Sequence, residues 1–386
     1  MNNQIFKVKK LGNLIKLSGG GTPDKSNSSY WNGNIPWASV KDLKSDEINF
    51  TQDSITEEGV VNSATRVIKK DSLIIATRMA VGKVAINKID LAINQDLKAI
   101  QCNSENIDKK FLFYYLKNKS NYFERIATGA TVKGIKISHI LDLQIPLPPL
   151  ATQKKIAAIL DAADAYRQKT KALIGKYEQL GQSLFLEMFG DPVVNPKGWD
   201  VNPVIKYCSC IVPGRDKPKS FTGNIPWITT NQLNHLRYTT KENFELGLTE
   251  YEIEQVRAKV IPKNSVIITC VGDLGIVSIN KLDIVINQQL HAFVCNKVIN
   301  NVFLMYNISF QKPYMYKMAS STTVPYMNKK VANNIPTIYP PLHLQNQFAE
   351  RSQAIELQKA KAEESLGKAE ALFGVLLQRA FKGELV

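Results

Sequence analysis

Two stretches of this chain, about 190 residues apart, carry nearly the same message. Gly33-Asn34-Ile35-Pro36-Trp37 recurs letter for letter as Gly223-Asn224-Ile225-Pro226-Trp227, and residues 67–102 recur without a gap as 260–295, with 18 of 36 positions identical. A third element, Pro148-Pro149-Leu150 followed by Gln153 and a long helical pattern, returns as Pro340-Pro341-Leu342 followed by Gln345 and another such pattern. A duplication on this scale decides the architecture before any single motif does. It predicts a domain at 1–150, a spacer helix at 151–190, a second domain at 191–341 and a second spacer helix at 342–386. Such a protein does one thing twice, at two places.

Within the first repeat, 72–77 and 81–86 are short apolar runs rich in β-branched residues, and these predict strands. Phe111, Leu112, Tyr115 and Leu116 fall at helical spacing. The two repeated domains are therefore mixed, an α+β class. Ile145-Pro146-Leu147-Pro148-Pro149 reads as a stiff joint without regular structure, because proline removes a donor and restrains its predecessor. From Thr152, a candidate N-cap, the apolar period becomes 3.5. Ile156, Ile159, Ala163, Tyr166, Thr170, Leu173, Tyr177, Leu180, Leu184 and Glu187 fill the a and d positions, and Gly190-Asp191-Pro192 ends the pattern. A matching stripe, Phe348, Ile355, Ala362, Leu366, Ala369, Phe373, Leu376 and Ala380, closes the chain. A long helix with one apolar seam needs a partner. The two stripes predict an antiparallel coiled-coil pair, with the two similar domains related by an internal pseudo-twofold repeat.

The 386 residues carry 49 basic and 34 acidic side chains, a formal +15. The helical segments 152–189 and 350–382 contribute only +2 and +1, which leaves +12 for the rest, mostly the two repeated domains. Excess cation on globular units suits a polyanion, since neutralised phosphates release condensed counterions. Five cysteines without a C-x-x-C pair suggest a reducing, cytoplasmic setting. The residues from Met1 to Lys7 lack an apolar signal core, and no apolar run approaches a membrane span.

Catalytic motifs are scarce. Asp24 and Asp42 with Lys44 satisfy the loose spacing of a Mg²⁺-dependent nuclease, but the second repeat has Gln232 in place of Asp42. Gly19-Gly20-Gly21-Thr22 lacks the Gly-Lys-Ser/Thr ending of a phosphate cradle and reads as a turn. The four histidines lack metal-ligand spacing. Polar clusters around the repeated strands remain. In the first copy these are Lys25, Tyr30, Ser39, Lys41 and Lys44, then Arg78, Lys83 and Gln95, then Lys133 and Lys136. In the second they are Arg215, Lys217 and Lys219, then Thr229, Thr230, Asn231 and Gln232, then Gln288, Gln289, Asn328 and Lys329. Amides reach adenine edges, and lysine or arginine reaches guanine or phosphate, so these residues are candidates for DNA contact. Each is equally suited to a solvated loop. Trp37 and Trp227 read as core anchors, and the shared Asn94 and Asn287 suit groove contact and a turn or capping role equally.

The pattern Gly21-Thr22-Pro23 … Tyr30-Trp31-x-Gly33-x-Ile35-Pro36-Trp37 … Asp42-Leu43, the twice-occurring Pro-Pro-Leu-x-x-Gln element and the closing Ala380-Phe381-Lys382-Gly383-Glu384-Leu385 resemble the specificity subunits of type I restriction-modification systems. In the second copy Val212-Pro213-Gly214-Arg215-Asp216 replaces the Gly-Thr-Pro loop. The resemblance implies a non-catalytic protein with two target recognition domains, each reading half of a bipartite double-stranded DNA target across an unread gap. It implies as partners two modification subunits, which carry S-adenosylmethionine chemistry, and motor-nuclease restriction subunits, which use ATP and Mg²⁺. This chain itself would hold no cofactor and no metal. The alternative reading is a DNA-cleaving enzyme that uses Asp24, Asp42 and Lys44.

Overall fold

The computed structural model describes residues 6–320 and 324–386. Residues 1–5, on which most of the signal-segment reading rests, lie outside them, as do 321–323. The chain divides into two compact units, Met1–Lys169 with Ser365–Val386, and Thr170–Glu364.

In the first unit a five-stranded sheet runs in the order Ile15–Gly19, Leu97–Cys102, Leu73–Ala76, Val84–Asn87, Glu47–Ile48. Its neighbours are antiparallel except for the last pair, in which Glu47 lies parallel to Ile86. The strand Leu73–Ala76 is buried on both faces. Leu73 and Ile75 pack with the helix Lys109–Asn118, while Ile74 and Ala76 pack toward Ala38, Leu91 and Ile93. This is why the stretch reads as a continuous apolar run rather than an alternating one. A second sheet, ordered Asp53–Ile55, Trp31–Ala38, Leu91–Ile93, Val67–Ile68, carries the repeated Gly-Asn-Ile-Pro-Trp. A Cβ on Gly33 would stand 2.5 Å from the Ile55 carbonyl oxygen, so only glycine fits there.

The second unit repeats the order of the large sheet, Cys208–Ile211, Leu290–Cys295, Val266–Thr269, Val277–Asn280, Arg237–Thr239, and three strands of the small one, Gly247–Leu248, Ile225–Ile228, Val285–Ile286, with a single bridge of Ile261 to Ile284 in place of the fourth. Gly223 repeats the constraint of Gly33, with Leu248 backbone 1.9 Å from a would-be Cβ.

The proline-rich joint differs from its sequence reading. Gln144–Pro146 is a strand paired antiparallel with Val8–Lys10, and Pro336–Ile338 pairs likewise with Val201–Pro203. A two-stranded ribbon tolerates proline because each strand is an edge.

The long helices span Leu150–Phe189 and Leu342–Lys382. The first begins two residues before Thr152, and the Gln153 N–H bonds the Pro149 carbonyl. Its end is as expected. Gly190 takes a φ of +77°, and Lys197 Nζ donates to the Glu187 and Met188 carbonyls at 2.7 and 2.9 Å. In each unit a half of one helix lies against a half of the other. Tyr166 and Ser365 share a hydroxyl hydrogen bond in the first unit, and Lys359 pairs with Glu178 at 3.0 Å in the second. The C-terminal stripe faces inward as read.

The other stripe is rotated. Positions 156, 163, 170, 177 and 184 turn inward, but Tyr166, Leu173 and Leu180 are 55%, 42% and 48% exposed. Leu160, Arg167, Ile174, Gly181 and Met188 take the inward places. The helix must also close the globular cores. Ile156 and Leu160 join Phe111 and Phe373, while Phe185 and Phe189 stack among Phe303, Tyr306 and Phe348. A Cβ on Gly181 would meet the Tyr306 hydroxyl at 2.4 Å, which accounts for glycine within a helix.

Candidate nucleic-acid interface

Three amides repeated in both copies act inside the fold. Asn87 accepts from the Ser72 N–H and donates to the Lys69 and Ile89 carbonyls, and Asn280 does the same for Ser265, Pro262 and Leu282. Asn94 and Asn287 each fold back on the residue two ahead, closing the turn that presents Gln95 or Gln288. Gln153 is fully buried. It accepts from the Asp108 N–H and donates to the Asn106 and Pro148 carbonyls. Gln345 accepts from the Asn300 N–H and donates to the Pro340 carbonyl. The Pro-Pro-Leu-x-x-Gln element is thus a clamp that fixes each long helix to the loop before a domain helix.

In the first unit, Lys25, Ser39, Lys41 and Gln95 come together around a hollow of about 650 Å³, with Trp31, Trp37, Asp53, Met79 and Asn94 in its wall. Thr22 donates to Gln95 Oε1. Trp37 anchors the floor as read, its Nε1 donating to the Gly21 carbonyl at 3.1 Å and its ring edge-on to Trp31. Ser39 is buried in a capping box. Its N–H and hydroxyl donate to one Asp42 oxygen, and the other oxygen accepts from the Gln52 N–H at 2.9 Å. Both Asp42 oxygens are thereby engaged in holding the loop. Asp24 accepts from Ser26, which holds its carboxyl below the usual range. Among the described residues no three His, Cys, Asp or Glu side chains form a metal cradle. Both carboxylates of the nuclease alternative, Asp24 and Asp42, are turn-formers.

Arg78 and Lys133 belong to the same rim. Arg78 bridges to Gly134, the Met79 N–H bonds the Lys133 carbonyl, and Arg78 Nη1 stands 3.3 Å from Asp96. Lys44 and Lys83 lie elsewhere, around a smaller hollow of about 210 Å³ with Lys117. Tyr30 and Lys136 line neither hollow. Loop composition did not single out Asp96, which lines the larger hollow, or Lys98 beside it, since both sit in the repeated strand region. Lys98 Nζ donates to the Gln95 carbonyl, and burial lowers its affinity for a proton.

In the second unit Gln288 donates to the Gly214 and Asp216 carbonyls at 3.2 and 3.1 Å, drawing Arg215 and Lys217 to its side. Thr229 and Gln232 form the capping box that Ser39 and Asp42 form in the first, with Thr230 and exposed Asn231 on the turn between. Gln289 accepts from Asn287. Asn328 caps the helix Lys329–Asn333, and Lys219 and Lys329 are exposed. His291 occupies the place of Lys98. It is buried with its Nδ1 unpaired, and burial, then Lys329, hold its pKa down at about 4. Among the candidate residues most amides and hydroxyls are therefore engaged in holding turns and loops, while Lys25, Lys41, Lys217, Lys219 and Lys329 are exposed, as is Asn231.

The sequence profile described as the type I restriction modification DNA specificity domain matches residues 3–176 and 212–364. The MjaIX type I restriction enzyme specificity subunit of Methanocaldococcus jannaschii is 26% identical over 373 residues, covering 89% of this chain and 85% of that protein. The EcoR124I/EcoR124II specificity subunit of Escherichia coli is 36% identical over 163 residues, 40% of each chain. The crystal structure of a type I restriction-modification S subunit from M. genitalium superposes over 99% of this chain and 97% of its own, with a TM-score of 0.60 and 16% identity, a likeness of fold. No helix among the described residues is long and apolar enough to cross a membrane. Matched by the profile over well more than half its length, this chain belongs to the type I restriction modification DNA specificity domain family.

Proposed function

We propose that this chain is the sequence-reading specificity subunit of a type I restriction-modification complex, with each unit reading one half of a bipartite double-stranded DNA target. The observation that carries this is a division of labour within the repeat. Asn87, Asn94 and Gln153 and their counterparts Asn280, Asn287 and Gln345 make the same internal bonds in both units. The outward loops do not match: Ser39-Val40-Lys41 stands against Thr229-Thr230-Asn231, and Arg78-Met79 against Val271-Gly272. One scaffold with two different surfaces serves two specificities.

The exposed lysines and arginines contact phosphate and supply the salt-dependent part of the affinity. The exposed amides of Gln95 and Asn231 face base edges, while Gln288 is held by the Gly214 and Asp216 carbonyls. The chain supplies recognition rather than chemistry. Methyl transfer from S-adenosylmethionine belongs to two docked modification subunits, and ATP- and Mg²⁺-dependent cleavage to restriction subunits.

Exchange of residues 204–335 for the same segment of a relative tests the reading, because the cut falls just inside the ribbon Val201–Pro203 with Pro336–Ile338. Mapping methylated adenines in cells that carry the exchanged chain should show one half-site changed and the other kept. A change in both halves would reject two independent readers.

A further inference from the structure

Met79 is 66% exposed at the tip of the loop between two core strands, with a φ of +64°. The Ala80 N–H returns to the Arg78 carbonyl at 2.8 Å, so Met79 is the centre of a three-residue turn, a conformation that side chains disfavour. Its counterpart in the second unit is Gly272, at φ +78°, with its N–H bonded to the Pro325 carbonyl as that of Met79 is to Lys133. The backbone thus needs a positive φ in both units, and glycine meets that need without strain. A methionine there is strained and is not compensated by burial. Around the hollow it shares the wall with the polar Lys25, Lys41, Asn94, Gln95 and Asp96 and with the apolar Trp31, Trp37 and Val40.

We infer that Met79 is a specificity-determining residue of the first unit, making apolar contact with the C5-methyl group of a thymine in the major groove. This rests on the DNA-reading function proposed above. On base edges in the major groove the thymine methyl is the one apolar feature, while the amide and cations beside Met79 match the polar edges and phosphates around it. The second unit, with Gly272, makes no such contact, so the two half-sites differ in their dependence on a methyl group.

The test uses the full chain together with its modification subunits, on its mapped target. Each thymine of the first half-site is replaced in turn by deoxyuridine, which removes the methyl and keeps the pairing. One replacement should weaken binding about three- to tenfold, the scale of a buried methyl group. Met79→Gly should weaken binding to the unmodified target by the same factor and make that deoxyuridine replacement silent. The salt dependence should not change, because no phosphate contact is lost. Met79→Gly relieves backbone strain, so its melting temperature should not fall. The reverse variant, Gly272→Met, has open space, since a Cβ at 272 meets nothing within 4 Å. It should create methyl sensitivity in the second half-site if a thymine is within reach. No deoxyuridine replacement that weakens binding, unchanged affinity in Met79→Gly, or an equal loss on all sequences would overturn the inference while leaving the reading function intact. Failure of the wild-type complex to prefer any bipartite target would overturn both.

Discussion

Buried polar side chains set the sharpest constraints on this molecule one residue at a time. Gln345 is fully buried, and its amide serves the Asn300 N–H and the Pro340 carbonyl. Gln345→Ala leaves both groups dry and unpaired, and should lower the stability of the second unit by about 3 kcal/mol in chemical denaturation. His291 gives a pH signature. Its folded pKa of about 4 lies below the ordinary histidine value, chiefly through burial. The unfolded chain therefore binds the extra proton first as pH falls. The stability that neutral His291 contributes is complete above pH ~6.5 and is lost between there and about 4, on the order of 3 kcal/mol in all. Melting temperatures between pH 7 and 4.5 should fall less steeply in His291→Phe than in the parent chain, and parallel curves would refute the assignment. These roles were only partly legible in the sequence. The repetition of Asn94 and Asn287 made a turn or capping role one of their two readings, whereas Gln153 and Gln345 stood out only as part of a repeated motif, with nothing in the sequence to say that their amides are buried. Lys98 and His291 share a position but not a residue type, so no pattern drew attention to them.

Periodicity at the level of the element revealed the helices but not the full orientation of the first. A 3.5-residue repeat specifies a seam against another helix. Leu150–Phe189 faces a helix and two globular cores, so its buried line moves by one residue at every second contact. The a positions served both surfaces, whereas Leu173 and Leu180 point outward although their residue type suits a d position. The two sets of positions should respond differently. Phe185→Ala empties a site that five aromatic rings surround and should cost about 3–5 kcal/mol. Leu180→Ala should cost under about 0.5 kcal/mol. Equal losses in denaturant unfolding would restore the a/d seam. The ribbon strands were hidden for a related reason. Proline forbids an interior strand, and sequence alone did not say that Gln144–Pro146 has only one neighbour.

For the whole molecule, the two long helices are the natural candidates for a ruler between half-sites. Each is continuous, 40 residues for Leu150–Phe189 and 41 for Leu342–Lys382, and each contributes to both compact units. The units divide at Lys169/Thr170 on one helix and Glu364/Ser365 on the other. Four residues inserted at both points add about 6 Å of helix, against a rise of ~3.4 Å per base pair. Four residues make slightly more than one turn, a rotation of about 40° beyond the full circle, and they shift a 3.5-residue seam by only half a residue. The paired insertion should therefore fold, keep both half-sites and lengthen the unread gap by one or two base pairs. Two residues in each helix would turn the seam by about 200° and should abolish recognition. Insertion in one helix alone should fail as well, because the antiparallel contacts of that helix would slide past their partners. Methylation mapping of the four-residue variant decides the matter. A functional variant with an unchanged gap would mean that the helices do not measure DNA.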